Sequence, residues 1–134
     1  MDEQEEIHRF LGGRSFAVVG ASSDRSKYGN KVLRAYLQQG LKVVAVNPKE
    51  SQVEGVPSYP DLASLPEPVD GVSIVTPPAV TEKVLEQAAE AKIRNVWLQP
   101  GAEGPGWQQQ AERLGLSAIG GGPCVLVALR YHGD

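Results

Sequence analysis

Short runs of β-branched and apolar residues alternate along this chain with segments of helical period, and few folds accept that rhythm. The runs cover residues 15–20, 41–46, 71–76, 95–98 and 116–119. They are apolar almost throughout instead of at every second position, the mark of strands buried on both faces. Helices are expected between them at about 27–39, 79–91 and 106–114. The first carries Val32, Leu33, Tyr36 and Leu37 as its apolar stripe and stops at Gly40; the second turns Val80, Val84, Leu85 and Ala88 toward the core. Repeated strand–helix–strand units close by right-handed crossovers into a parallel sheet covered on both sides. The expected fold is α/β: one doubly wound, Rossmann-like domain over residues 1–134, with a parallel sheet of about five strands in the order 3-2-1-4-5.

The remaining segments are smaller. A short helix is expected at 3–11, ended by Gly12-Gly13, and residues 49–60 form an irregular excursion with a short strand near Val56. Asp61 can cap a turn of helix reaching Leu65. Residues 125–129 could be a strand or a last helical turn, and we read a helical turn.

Composition narrows the partners. The 134 residues carry a formal charge of -3 and contain no basic run, so a nucleic-acid backbone is a poor partner. No segment approaches the roughly 20 apolar residues that cross a bilayer. The acidic start (Asp2, Glu3, Glu5, Glu6) is unlike a signal peptide, and the single cysteine, Cys124, can form no internal disulfide. A soluble, cytoplasmic protein is the expectation.

In doubly wound folds the ligand crevice lies beyond the carboxyl ends of the strands. Here the first such loop is Gly20-Ala21-Ser22-Ser23, with Gly29 inside the following helix. Small residues let an anion approach the backbone, the hydroxyls and helix-leading N–H groups can bind it, and Arg25 and Lys27 add positive charge. Cations at a helix start oppose the dipole unless an anion is present. The loop matches neither the dinucleotide fingerprint nor a P-loop. After the second strand stand Asn47, Pro48 and Lys49, where an NAD site would place an acid. A lysine there suits a ribose that bears an extra phosphate, as in NADP or coenzyme A, while Asn47 also serves as a turn former. Thr76-Pro77-Pro78 offers a flat apolar surface for a base or ligand arm, or else simply ends a strand. Gln99 and Gly101 complete the rim, with Gln99 able to bond an amide-bearing arm.

At these same residues the chain resembles the YccU-like family of small CoA-binding proteins, and through them the nucleotide-binding domain of the succinyl-CoA synthetase alpha subunit. The matching stretches include Val18-Val19-Gly20-Ala21-Ser22, Val46-Asn47-Pro48-Lys49 and Val96-Trp97-Leu98-Gln99-Pro100-Gly101-Ala102, in the expected order. The resemblance implies coenzyme A as cofactor, with its phosphates at Gly20, Ala21, Ser22, Ser23, Arg25 and Lys27. Its ribose end would be flanked by Asn47, Pro48 and Lys49, and its base by Thr76, Pro77 and Pro78. The chain departs from the family at Gly122-Pro123-Cys124, where relatives tend to carry Asp-Arg-Cys.

No catalytic constellation accompanies the loop. There is no metal-binding motif, carboxylate dyad or nucleophile elbow, and His8 and His132 lie near the ends of the sequence. Cys124 could exchange with a thiol, but its simpler reading is a small buried hydrophobe. The function expected is therefore non-catalytic binding of CoA or an acyl-CoA, as carrier, sensor, homodimer or partner of another protein. An NADP-linked enzyme and an interaction protein with a vestigial pocket are the alternatives.

Overall fold

Each of the five apolar runs forms a strand in the computed structural model, which describes residues 2–133. In chain order the elements are α1 (Glu3–Leu11), β1 (Ser15–Val19), α2 (Tyr28–Gln38), β2 (Lys42–Val46), β3 (Gln52–Val53) and β4 (Val56–Tyr59). A 3-10 turn at Leu62–Ser64 leads to β5 (Gly71–Ile74), α3 (Pro78–Glu90), β6 (Asn95–Leu98), α4 (Trp107–Arg113), β7 (Ser117–Ile119) and α5 (Val125–Ala128). The sheet has seven strands in the order β3-β4-β2-β1-β5-β6-β7, all parallel except β3, which pairs antiparallel with β4 at the edge.

Strand count and order correct the sequence-based expectation. The strand at 71–74, and not that at 95–98, flanks β1, in the register Phe16↔Gly71 to Val19↔Ile74. The difference arises in the excursion after β2, which folds into the β3–β4 hairpin. β4 pairs parallel with β2 through Ala45↔Ser58 and Val46↔Tyr59 and takes the place beyond it. With β4 counted as third, the parallel strands run 3-2-1-4-5-6, the order that right-handed crossovers dictate. β4 is the short strand expected near Val56; its pairing with β2 is what the sequence does not show, because the strand is short, partly exposed and interrupted by Pro57, which suits a place near a sheet edge.

Alternate residues of β1 feed two cores. Phe16 and Val18 join Phe10, Leu33, Tyr36 and Trp97 under α1, α2 and α5, whereas Ala17 and Val19 join Val72, Ile74, Leu85 and Leu98 under α3. Four aromatic rings pin the first core: Phe10 lies 5.7 Å from Phe16 and 5.4 Å edge-on from Trp97, and Phe16 lies 5.1 Å from Tyr36. The buried Tyr36 hydroxyl is satisfied by Ser73 Oγ at 2.6 Å, and burial pushes its pKa up. Asp2 starts α1 by accepting from Glu5 N, and Asp61 does the same for the 3-10 turn through Ser64 N. Val80, expected in the core, is 44% exposed on the first turn of α3.

Candidate functional site

The carboxyl ends of β1, β2 and β5 open into a cleft of about 600 Å³, a volume typical of small-molecule sites. Its floor depends on two glycines. Gly20 turns the chain off β1 at φ +96°, and a Cβ there would lie 2.0 Å from the Val75 carbonyl oxygen. A Cβ on Gly29 would lie 2.0 Å from the Gly20 carbonyl oxygen, so the first turn of α2 rests directly on the loop. α2 starts at Lys27 without a side-chain cap, leaving the positive end of its dipole to be met from outside the helix.

Three loops wall the cleft. From the first come Gly20, Ser22 and Lys27; from the second, Asn47, Pro48 and Lys49; from the third, Thr76 and Pro77. Eight of the residues expected from sequence are thus brought together. Asn47 couples the first two loops: its Nδ2 donates to Ala21 O at 2.8 Å and its Oδ1 accepts from Lys49 N at 2.8 Å. It therefore forms the expected turn and also ties that turn to the first loop. Pro77 precedes α3 and Pro78 opens it, a position where a missing N–H costs nothing. Thr76 Oγ1 bonds Thr81 Oγ1 at 2.7 Å across that start.

Other expected residues are placed elsewhere. Ala21 stands in the first loop but its side chain is buried in the first core, and Pro78 lines a separate hollow between α3 and α4. Arg25 points to the β3–β4 turn, where Glu54 accepts from its Nε at 3.1 Å and its Nη2 at 3.0 Å. Those bonds, with a third from Asn30 Nδ2, lower the Glu54 pKa to about 2. Ser23 donates its N–H to Glu50 Oε2 at 3.1 Å, and hydrogen bonding from Ser23 holds that carboxyl below its ordinary range. Asp24 accepts from Ser26 Oγ and N, bonds that hold its carboxyl below the ordinary range.

Gln99 and Gly101 do not line the cleft. Gln99 is fully buried; its Oε1 accepts from Val125 N at 2.9 Å and lies 3.4 Å from Tyr28 Oη. Tyr28 Oη also meets Cys124 Sγ at 2.7 Å, and burial followed by this contact pushes the tyrosine pKa up. Glu103 accepts from Gly101 N and Gly121 N, joining the loops after β6 and β7. The sequence reading missed four cleft residues on α3, Val80, Lys83, Val84 and Gln87, as well as Pro60, Asp61 and Tyr28. The α3 residues are spaced three and four apart, so a single helix face signals them once β5 is known to lie beside β1. Among the described residues no group of three His, Cys, Asp or Glu side chains could hold a metal ion.

A mostly parallel sheet wound from both sides of β1, with a cleft beside the uncapped start of α2, defines a Rossmann-like α/β domain. Its sequence places it more narrowly. The chain belongs to the CoA-binding domain family, whose model matches residues 14–130. It is 31% identical over 124 residues to an ADP-forming acetate–CoA ligase of Archaeoglobus fulgidus, covering 85% of this chain and 18% of the ligase. It is also 31% identical to the alpha subunit of such a ligase from Pyrococcus furiosus, covering 83% of this chain and 27% of that subunit. This chain thus spans about a quarter or less of the curated relatives it matches. Among solved structures, a conserved hypothetical protein of Pyrococcus furiosus superposes with a TM-score of 0.81 at 37% identity, covering 86% of this chain and 98% of that one. A Thermus thermophilus protein matches with a TM-score of 0.83 at 26% identity over 97% of both chains.

Proposed function

We propose that this domain binds coenzyme A or an acyl-CoA in the cleft above β1, β2 and β5, as a binding module without chemistry of its own. One observation carries the reading: the cleft is lined by the uncapped helix start with Lys27, by Lys49 and Lys83 against the one acid Asp61, and by the apolar Pro48, Pro77 and Val80. That is the pattern of a ligand with a diphosphate, an apolar base and one further phosphate. Family membership and the two acetate–CoA ligase relatives support the same ligand. Gly20, Ser22 and Lys27 would hold the diphosphate, Pro48 and Pro77 would face the base, and Lys49 would meet the ribose phosphate. Bound CoA would supply a thiol to carry an acyl group. The residues of the cleft contribute charge and shape, and no general base is paired with Ser22.

Titration calorimetry with CoA, dephospho-CoA, NAD and NADP at one salt concentration tests the reading. CoA should bind tightest, and Lys49→Ala should weaken CoA about tenfold while leaving dephospho-CoA almost unchanged. Equal weakening of both ligands would remove Lys49 from the ribose phosphate. Tight NADP binding with no CoA binding would replace the proposal with a nicotinamide enzyme.

A further inference from the structure

The loop after β1 is already held by two carboxylates of its own chain, and they differ in how firmly they are fixed. Glu54 sits in the β3–β4 turn and is bonded by Arg25 and Asn30, so it belongs to the scaffold. Glu50 lies between β2 and β3, outside any ladder, and its Oε2 takes two donors: Ser23 N–H at 3.1 Å and Asn47 Nδ2 at 3.2 Å. Ser23 follows the cleft residue Ser22, Glu50 follows the cleft residue Lys49, and Asn47 itself lines the cleft. Ser23 stands in the loop four residues ahead of the α2 cap Lys27, and a carboxylate oxygen accepting its N–H does the work of a phosphate oxygen.

We propose that Glu50 is a resident competitor for the phosphate position, displaced from Ser23 N–H when a diphosphate-bearing ligand enters. A phosphate can supply the charge and the acceptor that the carboxylate gives up. An uncharged ligand arm cannot, and it would leave the Ser23 donor with Glu50. The side chain therefore sets a threshold that favours multiply charged phosphate ligands. The inference rests on the binding reading above for an anion at Gly20, Ser22 and Lys27 and extends that position by one residue to Ser23 N–H, but it requires a diphosphate and not coenzyme A in particular.

The test uses the intact chain, with Glu50→Gln and Glu50→Ala, titrated with CoA, ADP and inorganic pyrophosphate at fixed salt. Removing the competitor should tighten all three about tenfold in Glu50→Ala and by less in Glu50→Gln, whose amide oxygen still accepts. In the unmodified protein the Ser23 amide resonance should move when pyrophosphate is added, a readout that survives if a variant fails to fold. Unchanged affinities, or a static Ser23 amide at saturation, would overturn the proposal. So would weaker CoA and ADP binding with pyrophosphate unaffected, since the carboxylate would then be reading a ribose hydroxyl. If pyrophosphate gains affinity in the variants while CoA binds to none of the proteins, the competitor stands and the CoA reading falls.

Discussion

Gly29→Ala separates close backbone approach from the other use of glycine in this chain, left-handed backbone. The added Cβ would sit 2.0 Å from the Gly20 carbonyl oxygen, 2.9 Å from its carbon and 3.3 Å from Ala21 Cα. Reaching an ordinary 3.4 Å from that oxygen requires a movement of about 1.4 Å, and every atom in the way is backbone. Overpacking of a rigid neighbour costs about 1–3 kcal/mol, and here the upper part of that range applies because no flexible side-chain end can yield. Gly40→Ala is the control. Its Cβ would meet nothing within 4 Å, so its cost is that of φ +71° alone, about 1 kcal/mol. Urea unfolding should lower the midpoint more for Gly29→Ala than for Gly40→Ala, with equal slopes. For a chain of this length, 3 kcal/mol corresponds to a melting temperature lower by about 10 °C. Lifting α2 from the loop should also weaken CoA, which Gly40→Ala should leave alone. If Gly29→Ala lies within about 0.5 kcal/mol of the unmodified protein, the contact yields easily and the reasoning about the cleft floor is wrong.

Two further outcomes are expected. Glu54 has a folded-state pKa of about 2 against an ordinary 4.5, so its stabilisation is fully present above about pH 4.5 and fades as pH falls toward 2. In acid titrations followed by circular dichroism, Glu54→Gln should be less stable than the unmodified protein at neutral pH, with the gap closing across that window; a gap independent of pH would sever it from the carboxylate. Cys124→Ser keeps a partner for Tyr28 Oη, so CoA affinity measured by calorimetry should change less than tenfold, about 1.4 kcal/mol, and a larger loss would give the thiol a part in binding.

Local sequence carries what depends on local physics. Continuous apolar runs such as Phe16-Ala17-Val18-Val19 announce burial on two faces, and the two cores receive them alternately. Three loops of the candidate site were legible for a related reason: Gly20 at φ +96°, Asn47 with its bond from Lys49 N, and Pro77-Pro78 at the start of α3 mark the turns that follow β1, β2 and β5. The order of the sheet was not legible, because β4 is short, contains Pro57 and gains its identity only by pairing with β2. With β5 placed beside β1, the start of α3 falls over the same crevice, which brings in Lys83 and exposes Val80. Tertiary structure also decided which charges are free for a ligand. Arg25 and Lys27 look alike in the sequence, yet Arg25 is engaged by a carboxylate 29 residues away while Lys27 lines the cleft. Sequence fixes which residues stand at a turn, since backbone conformation is a short-range matter. Which of them meet is settled by the long-range pairing of strands, and no local pattern encodes it.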